Sequence, residues 1–290
     1  MAMAGAVMAA GIVAAVPGGA LGAGTGGLVY PTAVVVPLPD VTVSGDGVTE
    51  GEVACPTDFP TATGGGVQIE GIDPEMDLEV HGSGPSDTGW SVAGNNNTGL
   101  EATMTVHAIC ARGPITVRTK AVSIKPNGAG ATIVGCRAGT SATGGGAAII
   151  GGTHSDEVTS SEPTDGPDAD RDPDDGWYGS AGNGSGQATK LRVWVVCAGR
   201  GTYHVVHSVR RVIPRDSAAT ARATCPPGTR VTGGGEDIDR GGSKFEDHDS
   251  FPFDGPDTDT DPDDGWQATG YNESSAGPRH LTVWAICKDV

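Results

Sequence analysis

The clearest signal along the chain is an alternating strand that occurs three times and ends each time on a cysteine. "KLRVWVVC" puts Leu191, Val193, Val195 and Cys197 on one face and Arg192, Trp194 and Val196 on the other. "HLTVWAIC" repeats this with Leu281, Val283, Ala285 and Cys287 opposite Thr282, Trp284 and Ile286. "ATMTVHAIC" ends at Cys110, with Thr105, His107 and Ile109 on its mixed face. A period of two with β-branched residues predicts strand. A mixed second face predicts a strand that meets a sheet neighbour at one end and solvent at the other. The turns "ARGP" and "AGRG" follow Cys110 and Cys197. They make "ITVRTKAVSI" and "TYHVVHSVRRVI" the expected hairpin partners of the closing strands just before them. No stretch has the spacing of a long amphipathic helix.

Other landmarks keep step with these strands. "CPTDFPTATGGG", "CRAGTSATGGG" and "CPPGTRVTGGG" open at Cys55, Cys136 and Cys225. Each is followed by Gly-Trp, at Trp90, Trp177 and Trp266, and then by Asn96, Asn183 and Asn272, six residues beyond each Trp. From Trp to closing Cys the spacing is 20, 20 and 21 residues. These landmarks define a threefold internal repeat of 81 and 89 residues between opening cysteines. The expected fold is all-β, with three homologous, disulfide-stapled β-sandwich or meander modules over 24–112, 113–199 and 200–290. Two arrangements fit. In one, each module is a bead that uses the strand before its own opening Cys. In the other, "TAVVVPLPDVTV" pairs with the last module and closes a pseudo-threefold ring or prism. The beads are favoured, because a disulfide lets a repeat of this length bury its own small core.

Six cysteines, with none odd, fit an oxidising compartment. Two pairings treat the modules alike. One joins Cys55–Cys110, Cys136–Cys197 and Cys225–Cys287; the other joins Cys110–Cys136 and Cys197–Cys225, with Cys55–Cys287 closing a ring. The first is simpler and is the expectation. No CxxC pair is present, which argues against zinc.

Composition then narrows the setting. A formal charge of -18 argues against nucleic acid and anionic membrane surfaces as partners. The first charged side chain is Asp40, and an apolar run from Ala2 to Val16 precedes Pro17 and small residues. This reads as the core and cleavage zone of a secretory signal over residues 1–23. About 15 apolar residues fall short of the roughly 20 that span a bilayer, so no membrane insertion is expected after signal removal. The succession C-P-x-G, Gly-Gly-Gly, Gly-Trp and an apolar strand ending in Cys resembles a module of secreted proteins of high-GC bacteria. The resemblance covers roughly Cys55 to Cys287 and implies an exported β-rich module, with no activity carried over.

Candidate chemistry gathers in one phrase. "DGPDADRDPDDGW" ends at Trp177 and "DGPDTDTDPDDGW" at Trp266, while the first module has "GSGPSDTGW". Asp168, Asp170, Asp172 and Asp174 alternate along the first of these, and Asp257, Asp259, Asp261 and Asp263 along the second. Carboxylates at every second residue of an irregular loop suit a hard cation with six to eight oxygen ligands, so Ca2+ is the expected cofactor. The competing reading is a solvated acidic loop. Trp177, Trp266, Trp194 and Trp284 are the candidate ligand-stacking residues, set against a plain core role. Asn96, Asn183 and Asn272 open Asn-x-Ser/Thr sequons but also fit turn chemistry. "HVVH" at His204 and His207 puts its two rings on opposite faces of a strand. "GGG" reads as close backbone packing or a bulge. No nucleophile–base pair can be named. These features lead to the expectation of an exported, non-enzymatic binding or scaffold module at the cell surface, with an extracellular protein or glycan as partner. A carbohydrate-binding protein is the alternative, and a secreted hydrolase the third reading.

Overall fold

The computed structural model describes residues 28, 35–37, 41–43, 47–70, 78–96, 100–153, 155–166, 172–199, 203–208, 210–239, 245–255, 260–273 and 277–289. Every regular element among them is a strand. The proposed signal segment, 1–23, lies outside the described residues. Among those described, no helix is long and apolar enough to cross a membrane.

The first repeat contains β1 (Val35–Pro37), β2 (Val41–Val43), β3 (Gly47–Ala54), β4 (Thr61–Glu70), β5 (Leu78–Pro85), β6 (Gly89–Asn96) and β7 (Ala102–Ala111). The second contains β8 (Ile115–Ile124), β9 (Gly128–Gly135), β10 (Thr140–Ile150), β11 (Asp156–Thr164), β12 (Gly176–Asn183) and β13 (Thr189–Gly199). The third contains β14 (Tyr203–His207), β15 (Arg211–Ile213), β16 (Ser217–Thr224), β17 (Thr229–Ile238), β18 (Phe245–Phe253), β19 (Gly265–Asn272) and β20 (Arg279–Asp289).

These strands form three sheets. The first runs β1-β7-β4-β18-β19-β16, with β2 also on β7; the second runs β3-β6-β5-β10-β13-β8. The third runs β14-β20-β17-β11-β12-β9, with β15 also on β20. Each repeat therefore splits into two half-sheets, and each sheet joins halves of two different repeats. The joints are β5–β10, β11–β17 and β18–β4, which link the three repeats in a closed cycle.

The all-β, sandwich-like fold with three disulfides is thus present, with half-sheets of different repeats joined edge to edge in its three sheets. The segments after "ARGP" and "AGRG" do not pair backwards as expected: β8 joins β13, and β14 and β15 join β20. The reason is edge occupancy. β1 and β2 cover one edge of β7 and β4 covers the other, so "ITVRTKAVSI" has to cross to the next repeat. The described strands of the N-terminal segment, β1 and β2, accordingly serve their own repeat, and among the described residues they do not pair with the last one.

Each repeat keeps its own core between its half-sheets, around Trp90, Trp177 and Trp266, whose rings are 0%, 0% and 1% exposed. The residue before each closing Cys leaves that core and enters a neighbour's. Ile109 packs with the third repeat, Val196 with the first and Ile286 with the second. This accounts for the apolar end of the mixed strand face.

The "TGGG" motif meets at the axis. Thr63, Thr143 and Thr232 are extra residues at bulges against β7, β13 and β20. Thr63 Oγ1 donates to the Thr232 carbonyl at 3.1 Å, Thr143 to that of Thr63 at 3.2 Å, and Thr232 to that of Thr143 at 3.0 Å. Each hydroxyl also lies 3.1–3.2 Å from a carbonyl of its own closing strand, so one proton is shared by two acceptors. A methyl on the middle glycine of each triplet would press on an indole, at 2.4 Å for Gly65 and Trp90 and 2.3 Å for Gly145 and Trp177. A methyl on the third would strike the carbonyl of Ser250, Ser83 or Ser161 across the joint. Those serines also accept the indole N–H groups: Trp90 on Ser83 at 2.8 Å, Trp177 on Ser161 at 3.0 Å and Trp266 on Ser250 at 2.9 Å.

Cys55–Cys110, Cys136–Cys197 and Cys225–Cys287 are bonded within repeats, with Cα–Cα distances of 5.7, 5.8 and 5.7 Å, and no cysteine is free. Three disulfides suit an oxidising compartment. The side chains of Asn96, Asn183 and Asn272 are buried and brace the turn before each closing strand. Their amides donate to the carbonyls of Leu100, Gln187 and Gly277 at 2.7, 2.8 and 3.1 Å.

Candidate functional site

The acidic phrase falls in the sequence between the paired strands β11 and β12, and again between β18 and β19; residues 167–171 and 256–259 of it lie outside the described residues. Its second half is tied to the fold by main-chain bonds. The Asp174 N–H donates to the Asp172 carbonyl across Pro173, and Asp263 does the same to Asp261 across Pro262, both at 2.7 Å. The carbonyls of Asp174 and Asp175 accept from Ala142 and Cys136, and those of Asp263 and Asp264 from Val231 and Cys225. The first repeat makes the cysteine contact with Thr88, at 2.9 Å, without any acidic run. The last Asp of each phrase closes its loop: Asp175 Oδ2 accepts the Gly166 N–H at 3.0 Å and Asp264 Oδ2 that of Gly255 at 2.7 Å. Asp263 Oδ2 lies 3.7 Å from Arg230 Nε. Asp168, Asp170, Asp257 and Asp259 lie outside the described residues. Among the described ones, no group of three or more His, Cys, Asp or Glu is placed to hold a metal.

The four candidate tryptophans separate into two kinds. Trp177 and Trp266 are core residues, and no ligand can reach their rings. Burial between the half-sheets follows from their position at the start of β12 and β19, facing the glycine triplets. Trp194 and Trp284 are half-buried on the outer faces of the second and third sheets.

Trp194, Trp284 and His107 hold the same place in their repeats, and each overlies a joint between two repeats. Comparing the three joints shows where they differ. On the second sheet Trp194 packs over Gly84, and the Arg192 guanidinium sits 5.7 Å from its ring centre. On the first sheet His107 stacks on Phe251, with centroids 5.6 Å apart. On the third sheet the corresponding residue is Glu162, and the joint is open. Glu162, Arg210, Asp237, Asp239, Thr282 and Trp284 line a cleft there with a volume of about 350 Å³.

Strand register builds this cleft. Asp237 pairs with Ser160 on one side and Thr282 on the other, and Gly235 pairs with Trp284, leaving room for the indole to reach toward β11. Asp237 Oδ1 accepts from Ser160 Oγ at 2.7 Å. Asp239 pairs with the Arg210 guanidinium, and its Oδ2 accepts the His280 N–H at 3.0 Å. Glu162 and Asp237 are only 4% and 8% exposed. Gly84 and Ala148 take their places on the second sheet, and Phe251 and Gln68 on the first, so the architecture itself does not require carboxylates there.

Burial also shapes the joints of the first repeat. His107 is pushed down to about 4 by desolvation. His81, an extra residue at the bulge of β5, is lowered by desolvation with partial opposition from Asp156. His248 holds the matching bulge of β18, and its Nδ1 lies 3.9 Å from Asp249 Oδ2.

Glu162, Asp237, Asp239, Arg210 and Thr282 were missed as site residues from the sequence. A signal was there: Ser-x-Pro recurs as "SGP", "SEP" and "SFP", with its middle residue facing outward at each joint. The residues after each "GGG" likewise read "VQI", "AAI" and "EDI".

No family model matches the chain, and no curated protein matches it. The functional reading therefore rests on geometry and chemistry.

Proposed function

We propose that the protein is an exported, non-enzymatic β-repeat module that binds or scaffolds outside the cell or at its surface, with its acidic hairpins ordered by Ca2+. The observation that carries the binding role is the cleft of the third sheet, lined at one of three equivalent joints by carboxylates that the other two joints lack. Its polar groups are already held, Asp237 by Ser160 and Asp239 by Arg210 and His280. Acceptors fixed in this way offer a preorganised surface, which suits recognition. The calcium role is supported by the two acidic copies, whose Pro-flanked turns limit the conformations lost on ordering. An extracellular protein or a glycan is the expected partner. The carbohydrate reading is favoured by Trp284, a half-buried indole beside hydrogen-bonding groups.

The test is titration of the mature, oxidised chain with calcium by calorimetry, then a glycan array with and without chelator, with mass spectrometry of the bound glycans. Calcium uptake with glycans returned intact supports the proposal. Cleaved glycans would make the protein a hydrolase, and the absence of calcium heat would leave the acidic phrases as solvated spacers.

A further inference from the structure

We propose that the third-sheet cleft is a calcium-independent subsite for a single pyranose ring. This deepens the carbohydrate reading and rests on it. Three observations converge on that ligand chemistry. First, a pyranose has one face of C–H groups, and Trp284 supplies an indole as one wall of the cleft. Second, ring hydroxyls both donate and accept. Glu162, Asp237 and Asp239 offer acceptors, the Arg210 guanidinium offers donors, and the Thr282 hydroxyl offers both. A small anion would meet three carboxylates against one guanidinium, and among the described residues no group of carboxylates is placed to hold a metal ion. Third, a volume of about 350 Å³ is at the small end of ligand pockets, which run from roughly 300 to 1,000 Å³. That volume is enough to admit a single sugar ring.

The other two joints act as internal controls. Trp194 is already covered by Gly84 and Arg192, and His107 by Phe251, so neither leaves a ring face beside carboxylates. Independence from calcium follows from placement. Glu162, Asp237, Thr282 and Trp284 sit on β11, β17 and β20, Asp239 directly after β17 and Arg210 directly before β15, whereas the candidate calcium ligands fall in the sequence between β11 and β12 and between β18 and β19.

The experiment follows the indole N–H signals of the ¹⁵N-labelled full mature chain in chelator while methyl pyranosides of the common hexoses and N-acetylhexosamines are added. At least one pyranoside is expected to shift the Trp284 signal saturably below about 100 mM, a range typical of single small ligands, while the Trp194 signal stays still. The double variant Glu162→Gln/Asp237→Asn is expected to weaken that binding at least about tenfold with the Trp90, Trp177 and Trp266 signals unmoved. Should that variant fail to fold, Arg210→Ala, at a side chain 58% exposed, carries the same expectation.

The proposal is overturned if no pyranoside shifts Trp284, if both variants bind as the parent does, or if glucosamine acts while its neutral counterparts do not. Glycans captured on the array by parent and variants alike would sink this site and leave the broader carbohydrate reading standing. A blank array together with a blank titration would remove both.

Discussion

Acid should loosen the joint between the first and third repeats, because His107 must be neutral to stay where it is. Its ring is 6% exposed and stacked on Phe251, and desolvation lowers its pKa from 6.5 to about 4. The folded value lies below the unfolded one, so the unfolded chain takes up the proton first. Stability is therefore unaffected above about pH 6.5, falls as pH drops from there toward 4, and levels off below the folded pKa. A shift of that size corresponds to about 3 kcal/mol lost across the window. That is a large share of the roughly 5–15 kcal/mol that holds most domains. His81 pushes in the same direction at the joint with the second repeat. The assay is denaturant unfolding of the oxidised chain at several pH values between 7.5 and 4, for the parent and for His107→Phe. Phe keeps a ring against Phe251 and removes the titration, so the variant's stability should fall by about 3 kcal/mol less than the parent's between pH 6.5 and 4. Carboxylates protonate near the bottom of this window in both proteins and cancel in the comparison. Parallel loss of stability in parent and variant would show that His107 does not carry the acid sensitivity.

Three further outcomes are expected. Thr143→Val removes one hydroxyl from the axial ring and with it the bonds to the carbonyls of Thr63 and Val196, which should cost about 1–3 kcal/mol in denaturant unfolding. Gly145→Ala drives a methyl onto the Trp177 ring, so destabilisation of about 1–3 kcal/mol or more is expected, with a changed near-UV tryptophan signal. Calcium at a hundredfold its Kd should stabilise the chain by about 2.7 kcal/mol in thermal melts. A variant with Asp168, Asp170, Asp257 and Asp259 changed to Asn should lose that response.

Much of the fold was readable because its signals are local. Alternation in "KLRVWVVC" marked the closing strands, and the even spacing of Cys55, Cys136 and Cys225 marked the repeats and their disulfides. "GGG" was legible as close packing because no other residue type allows such approach. Strand partnership was harder. "ITVRTKAVSI" looks like the second arm of a hairpin, and only the competition for the edges of β7, decided by β1, β2 and β4, sends it to β13. The candidate site was harder still. Trp177 and Trp284 look alike along the chain, yet one fills a core and the other borders a cleft. That difference depends on Glu162, about 120 residues before Trp284, being brought across a joint between repeats. Non-local pairing of this kind leaves little trace in a single sequence.

If one of the three equivalent joints is adapted for recognition, the fold itself should need none of that joint's carboxylates. Replacing Glu162 with Gly and Asp237 with Ala, the residues found at the same places on the second sheet, tests it most directly. Denaturant unfolding and glycan-array binding of that double variant would be measured beside the parent. Stability within about 2 kcal/mol of the parent is expected, the cost of strand glycine and lost packing, together with loss of glycan binding. A variant that fails to fold, or one that folds and keeps the parent's binding pattern, would contradict it.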